Sequence, residues 1–157
     1  MEFRMLAPAA PAAPECEQLA QWYHAQWGKD AGFTLEDERL RLRKPKDAQG
    51  FPHLLAAIDD GQVVGAVQLK RGEMPGFPEY EHWLGSVYVA DSQRGRGLAS
   101  TLVEHAVKQA RSMGISQLYL QTESLDGGLY ARLGWKPVVE SDTRGFPVLV
   151  MVRGLSA

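Results

Sequence analysis

The stretch V-Y-V-A-D-S-Q-R-G-R-G-L-A, residues 87–99, says most about the fold. Its first three residues are β-branched or aromatic, which is typical of a strand, and a turn with two arginines and two glycines follows. From Leu98 to Met113 apolar residues recur at spacings of three and four, the pattern of an amphipathic helix. The stretch therefore predicts a strand, a tight turn and a helix that begins at Gly97.

The turn predicts an anion-binding site. A helix N-terminus presents unpaired backbone N–H groups and the positive end of the helix dipole. Gly95 and Gly97 leave the backbone open to a phosphate, and Arg94 and Arg96 add positive charge. A P-loop is excluded because no Lys-Ser or Lys-Thr follows Gly97, and a dinucleotide fingerprint would need a third glycine. A solvated turn without a ligand is the alternative.

Length and composition predict one globular domain over residues 1–157. Hydrophobic residues make up 45% and charged residues 23% of the chain, which are ordinary globular values. A net charge of −2 argues against a nucleic-acid partner. Cys16 is the single cysteine and excludes an internal disulfide. No stretch is typical of a membrane span or signal peptide, so we expect a cytoplasmic protein without a membrane partner and with a flexible Pro/Ala connector at 7–14.

Hydrophobic periodicity predicts an α/β fold with a mixed, mostly antiparallel sheet and helices on both faces. A capping box of Thr34 and Asp37 opens the second helix, whose charged run is interpreted as a solvated face that ends at Pro45. The predicted strands are 3–6, 54–58, 63–69, 83–89, 115–121, 135–139 and 146–152, and the predicted helices are 15–27, 34–44, 97–113 and 129–133.

Two motifs carry a family resemblance. One is V-Y-V-A-D-S-Q-R-G-R-G-L-A-S-T-L-V at 87–103, and the other is L-Y-A-R-L-G-W at 129–135. They resemble the acetyl-CoA motif and the later Tyr-containing motif of the GNAT superfamily of N-acetyltransferases. The resemblance covers about residues 53–153. It implies a GNAT-like sheet that splays open at strands 4 and 5, with acetyl-CoA as cofactor and CoA as product.

The resemblance also implies which residues hold the cofactor. The backbone of the strand before the turn would pair with the pantetheine arm, and the turn amides would hold the pyrophosphate. The strand residues are Val87, Tyr88 and Val89, and the turn residues are Arg94, Gly95, Arg96, Gly97, Leu98, Ala99 and Ser100. Family members often carry an Asn near the end of the fifth strand. This region reads Q-T-E-S-L-D-G-G here, so Gln121 or Thr122 would replace it.

The catalytic candidates are one tyrosine and two residues next to the fourth strand. Tyr130 resembles the family's general acid, and a neutral phenol can protonate a departing thiolate; the alternative is a core aromatic. For the base, Glu81 comes first and His82 second, with solvated loop residues as the alternative. Strand alternation, if no bulge intervenes, gives two faces of the fourth strand. One face carries Glu81, Trp83, Gly85, Val87 and Val89, and the other carries His82, Leu84, Ser86 and Tyr88. Gly85 would leave room for the acceptor, and Trp83 would form part of the pocket wall.

These observations predict an acetyl-CoA-dependent N-acetyltransferase that transfers acetyl directly to an amine of a small molecule or peptide. Direct transfer is preferred because Cys16 is distant in sequence from the turn. The alternative is a non-catalytic acyl-CoA sensor or interaction module. Loop carboxylates favour a cationic acceptor; they are Glu73, Glu79, Glu81, Glu123 and Asp126. The four histidines show no metal-ligand spacing, so we expect no metal, and a homodimer is compatible with the sequence.

Overall fold

A computed structural model describes residues 1–6, 14–43 and 47–155. The strands are β1 (Glu2–Leu6), β2 (His53–Asp59), β3 (Gln62–Arg71), β4 (His82–Val89), β5 (Gln117–Thr122), β6 (Lys136–Thr143) and β7 (Phe146–Gly154). The helices are α1 (Pro14–Tyr23), α2 (Leu35–Arg43), α3 (Leu98–Ser112) and α4 (Gly128–Arg132), with a π-helical turn at His24–Gly28 and a 3-10 turn at Asp91–Gln93. All the predicted strands and helices are found, with small shifts at their ends.

The strands form one seven-stranded sheet in the order β1-β2-β3-β4-β5-β7-β6. Every neighbouring pair is antiparallel except β4 and β5, which are parallel. Helix α3 buries Leu102, Val103 and Ala106 on one face of the sheet, and α1 buries Leu19 and Tyr23 on the other. The mixed, mostly antiparallel sheet with helices on both faces is therefore confirmed.

Helix α2 begins with the predicted capping box. Thr34 Oγ1 accepts from the Asp37 N–H at 3.1 Å, and the Asp37 carboxylate accepts from the Thr34 N–H at 2.8 Å. The charged run that follows is not wholly solvated, because Glu38 is 5% exposed. The predicted stop at Pro45 and residues 7–13 of the predicted connector lie outside the described residues, whereas Pro14 opens α1.

Strand β4 contains a bulge that changes the predicted alternation. Gln68 of β3 pairs with Gly85, but Ala66 pairs with Tyr88, so β4 holds one residue more than its partner between these pairs. Ser86 lies in this bulge and adopts a φ of +51°. Val87 consequently packs toward α3, on the face opposite Trp83, and the prediction that both side chains share one face is wrong.

In the described part of the chain, no helix has the length and apolar character that crossing a bilayer requires.

Candidate active site

A cleft of about 790 Å³ opens where β4 and β5 separate. The two strands pair at a single position, Trp83 opposite Tyr119, and then diverge. This divergence confirms the expected splay of the sheet. Residues 84–87 of β4 and 120–122 of β5 line the cleft beyond that point, together with residues from α1, α2 and the β6–β7 turn.

The carboxylate of Glu73 lies in the cleft and is held from both sides. Lys70 Nζ donates to its Oε1 at 3.1 Å, and Gln121 Nε2 donates to its Oε2 at 3.2 Å. Lys70 also donates to Ser86 Oγ at 2.8 Å, and the Thr143 hydroxyl donates to Gln121 Oε1. The bonds from Lys70 and Gln121 fix the Glu73 carboxylate in place. Because each carboxylate oxygen has two lone pairs, Glu73 can still accept a proton or a further hydrogen bond.

Tyr130 faces the same cleft from α4. Its ring meets Trp135 edge-on at a centroid distance of 6.2 Å and packs against the core under α3. Its phenol oxygen makes no hydrogen bond to any residue that the structure describes. Burial first, and the charge of Glu73 second, raise the pKa of Tyr130 above its ordinary value of 10.0. The phenol is therefore neutral at physiological pH and has a proton to donate.

The arginine-glycine turn lies at the N-terminus of α3, as its sequence predicts. Gly95 and Gly97 both have a φ of +78°, which favours glycine. A Cβ at either position would meet nothing within 4 Å, so the turn is open. Within the described ranges, the backbone N–H groups of residues 95–100 have no hydrogen-bond acceptor, and Gly97 provides no side-chain cap. This set of amides can bind an anion.

The two arginines of the turn differ in their surroundings. Arg94 Nη1 lies 3.0 Å from Asp91, and Arg94 Nε donates to the Val89 carbonyl at 3.1 Å. Its charge is therefore partly neutralised, and it ties the end of β4 to the turn. Arg96 is exposed.

The end of β4 has one free backbone edge. On the β3 side, Tyr88 pairs with Ala66 and Val89 with Gly65, whereas β5 has already diverged on the other side. No strand in the described part of the chain pairs with this edge, so it is open to an extended, amide-bearing ligand except at the Val89 carbonyl that Arg94 engages. The Tyr88 ring points away, toward α1, where it stacks on Trp22 at 5.0 Å.

The predicted base candidates are not brought to Tyr130. Glu81 lies 2.8 Å from Arg71 and 3.7 Å from His82, and Glu81 and His82 line a second cavity of about 500 Å³. Trp83, predicted to form a pocket wall, is fully buried instead, with Met74 and Val148 against it. It lines neither cavity, because β4 turns this side chain into the core.

Gly85 lines the cleft, but its missing side chain makes room for Glu73. A Cβ there would stand 2.7 Å from Glu73 Oε1 and 3.3 Å from Lys70 Nζ. In the sequence, Glu73 is one of several loop carboxylates with nothing to single it out. A glycine within a strand indicates the close approach of another group, which is the only available signal. Gln121, named as a substitute for the family's Asn, contacts Glu73 and Thr143.

Comparison with known proteins places this chain in a family. Residues 16–135 match the Acetyltransferase (GNAT) family. The chain belongs to the GNAT acetyltransferase family. It is 35% identical over 95 residues to an L-methionine sulfoximine/L-methionine sulfone acetyltransferase of Pseudomonas paraeruginosa, which covers 56% of this chain and 52% of that protein. This GNAT chain thus spans about half the length of that relative.

Two solved structures share the fold of this GNAT chain. An aminoglycoside 6'-acetyltransferase type Ii matches with a TM-score of 0.75 and 21% identity, over 100% of this chain and 99% of that one. An aminoglycoside 6'-N-acetyltransferase complexed with coenzyme A matches with a TM-score of 0.74 and 16% identity, over 100% and 98%. These similarities concern the fold alone.

Proposed function

We propose that this GNAT protein is an acetyl-CoA-dependent N-acetyltransferase that transfers acetyl directly to an amine. The observation that carries the proposal is the shared cleft at the β4–β5 splay: Glu73 and Tyr130 both face it, and it adjoins a strand edge that leads to the free amides of residues 95–100. This arrangement supports Glu73 as proton acceptor and Tyr130 as proton donor, next to the strand edge and amides that we propose to hold the cofactor.

The residues present fit acetyl-CoA. The unpaired amides of residues 95–100 would hold the pyrophosphate, and the open edge of β4 at residues 87–89 would pair with the amide-bearing arm. When bound, acetyl-CoA supplies an acetyl group activated as a thioester. Backbone groups supply most of this site, so the exposed side chain of Arg96 is a supplement to it.

Glu73 and Tyr130 are proposed to divide the proton transfers. Glu73 would receive the ammonium of the acceptor and take its proton, directly or through water, while Lys70 and Gln121 hold the carboxylate in place. Tyr130 would donate its proton to the departing sulfur, since burial keeps its phenol protonated. Glu73 replaces Glu81 and His82 as the base candidate, because those two line the other cavity.

The acceptor is proposed to be a small molecule. A peptide amine is the alternative, but the cleft is walled by α1, α2 and the β6–β7 turn, which suits a compact ligand better than an extended chain. The names of the Pseudomonas relative and of the two aminoglycoside enzymes also denote small-molecule acceptors.

The test is release of free thiol from acetyl-CoA in the presence of a panel of small-molecule amines and peptides. Amine-dependent release that disappears when both Glu73 and Tyr130 are replaced supports the proposal. Binding of acetyl-CoA, detected as a rise in Tm, without amine-dependent thiol release would instead indicate an acyl-CoA-binding module. No rise in Tm with any CoA would reject cofactor binding as well.

A further inference from the structure

The geometry points to a second subsite in the cleft, at which Arg41 and Arg144 bind a carboxylate of the acceptor. The inference rests on the proposed acetyl transfer and names its acceptor class: a small molecule with both an amine and a carboxylate, such as an amino acid. The guanidinium carbon of Arg41 lies 3.7 Å from the centroid of the Phe33 ring, and that of Arg144 lies 4.5 Å from it. Two cations from different elements thus meet at one ring.

Positive charge at this ring exceeds the negative charge that neutralises it. Arg41 Nη1 lies 3.3 Å from Glu38 Oε1, a carboxylate that is 6% exposed. Arg144 makes no ion pair with any described residue. The two guanidinium groups lie close enough at this ring to repel each other, and an anion that contacts both of them would relieve that repulsion. A carboxylate matches the planar, forked set of donors that arginine presents.

Arg144 occupies a backbone position that does not favour arginine. It forms a two-residue turn with Gly145 between the paired residues Thr143 and Phe146, and the two turn residues have φ values of +52° and +86°. Such turns favour Asn-Gly or Asp-Gly, because the first residue must adopt a left-handed conformation. An arginine in this unfavoured conformation favours a role for its side chain.

The subsite is linked closely to the proposed base. Thr143 precedes Arg144, its hydroxyl donates to Gln121, and Gln121 in turn donates to Glu73 at 3.2 Å. Arg41, Arg144, Glu73 and Tyr130 all line the same cleft. An acceptor whose amine meets Glu73 would therefore have the arginines within the same pocket, which suits a compact molecule with both groups.

This inference differs from the expectation of a purely cationic acceptor. That expectation rested on loop carboxylates, of which Glu79 and Glu81 line the second cavity, whereas Glu73 and Glu123 line this cleft. Glu123 is exposed, as is Asp30, which also lines the cleft. The carboxylates that do lie in the cleft and are largely buried, Glu38 and Glu73, each have a basic partner, Arg41 and Lys70. Near the Phe33 ring, a second positive charge on the acceptor would meet Arg144, which has no described ion pair.

The first experiment compares proteinogenic L-amino acids with their carboxamides as acceptors for the full chain. A carboxylate raises the pKa of the neighbouring amine, so intrinsic reactivity favours the amide, and a preference for the acid must come from the protein. We expect wild type to prefer the acid in kcat/KM by about 10-fold or more. Arg144→Gln should abolish this preference and leave the KM for acetyl-CoA unchanged. Lys108→Gln, which removes an exposed cation on α3 outside the cleft, should keep it.

The second experiment measures binding without turnover. Titration calorimetry with the N-acetyl derivatives of the same amino acids, and with their amides, should show tighter binding of the acids to wild type and no such difference for Arg144→Gln. Equal binding of acids and amides to wild type would overturn the subsite. Acetyl transfer without preference for the acid would reject the subsite and leave the transferase standing. Carboxylate-dependent binding without transfer would support the subsite and reject the transferase.

Discussion

The negative charge of Glu73 raises the pKa of the Tyr130 phenol, in addition to the larger effect of burial. The two residues lie 57 positions apart in the sequence. One follows β3 and the other lies on α4, and the splay of β4 from β5 lets both face one cleft. Their charges are coupled: a carboxylate beside a phenol disfavours the phenolate and so keeps the phenol protonated. This relationship joins the proposed base to the proposed acid, and it can be measured without any knowledge of the acceptor.

The coupling predicts a pKa change at Tyr130. Burial and Glu73 both raise the pKa of this phenol, so wild-type Tyr130 should ionise above pH 10.0. Glu73→Gln removes the negative charge and should lower the Tyr130 pKa, while burial keeps it above the ordinary value. The phenolate signal of Tyr130 is obtained as the ultraviolet difference between each protein and its Tyr130→Phe counterpart during alkaline titration. An identical midpoint with and without Glu73 would contradict the coupling.

Loss of the phenol should slow catalysis. Tyr130→Phe keeps the ring and its contact with Trp135 but removes the donor, so kcat should fall about 10²-fold while the affinity for acetyl-CoA stays nearly unchanged. Tyr119→Phe is the matched control. The Tyr119 hydroxyl donates to Gln117 Oε1 at 2.7 Å, and Tyr119 does not line the cleft. If kcat is undiminished in Tyr130→Phe with chemistry rate-limiting, Tyr130 is a core aromatic and another group protonates the sulfur.

Neutralising Glu73 and displacing its carboxylate should both lower kcat. Glu73→Gln should lower kcat about 10²-fold through loss of the base. In Gly85→Ala the new Cβ would lie 2.7 Å from Glu73 Oε1, so the carboxylate must move. The fold should be kept, because the Cβ would contact the ends of the flexible Glu73 and Lys70 side chains. We expect a smaller fall in kcat of about 10-fold. Gly76→Ala, where a Cβ meets nothing within 4 Å, is the control. Wild-type rates in both Glu73→Gln and Gly85→Ala would exclude Glu73.

The elements were predictable from the sequence because their signals are local. Turn glycines, the capping box at Thr34 and the apolar spacing from Leu98 each depend on neighbouring residues, and each is found in the structure. The splay of the sheet and the place of Tyr130 near it came from resemblance to a family. Periodicity alone contained neither of them.

Features that depend on residues far apart were not predictable. The bulge at Ser86 reverses the facing of the following residues, and nothing local marks it, since serine rarely adopts a positive φ. Glu73 was one carboxylate among several until the fold brought Lys70, Gln121 and Gly85 to it. Burial of Glu38 within a charged helix depends likewise on what packs against α2.

The ion pair between α1 and α2 predicts a pH-dependent stability. Hydrogen bonds from Arg39, at 2.8 and 2.9 Å, lower the pKa of Glu17 from 4.5 to about 2. A carboxyl group with a lowered pKa stabilises the folded state above its unfolded pKa, and this contribution disappears as pH falls through the folded pKa. Glu17→Gln should therefore have a lower Tm than wild type above pH 4.5, and the difference should shrink as pH falls toward 2. Glu140→Gln, which removes an exposed carboxylate without a described ion pair, should show no comparable trend.

Obstruction of the turn should abolish cofactor binding. In Gly97→Trp the indole would stand over the free amides of residues 95–100 and keep a phosphate from reaching them. The left-handed φ of +78° also makes this substitution strained, at a cost of roughly 1–2 kcal/mol, so a loss of binding has to be separated from a loss of stability. Gly61→Trp supplies that control: its φ is +74°, a Cβ there meets nothing within 4 Å, and it lies in the β2–β3 turn.

The two tryptophan variants should have similarly reduced Tm values without ligand. CoA should raise the Tm of Gly61→Trp as it does that of wild type, but not that of Gly97→Trp. Arg96→Ala should weaken binding less than Gly97→Trp, because an exposed charge is screened by salt whereas the backbone amides remain. If folded Gly97→Trp bound CoA with wild-type affinity, the pyrophosphate would have to be held elsewhere, and the turn before α3 would be a solvated loop.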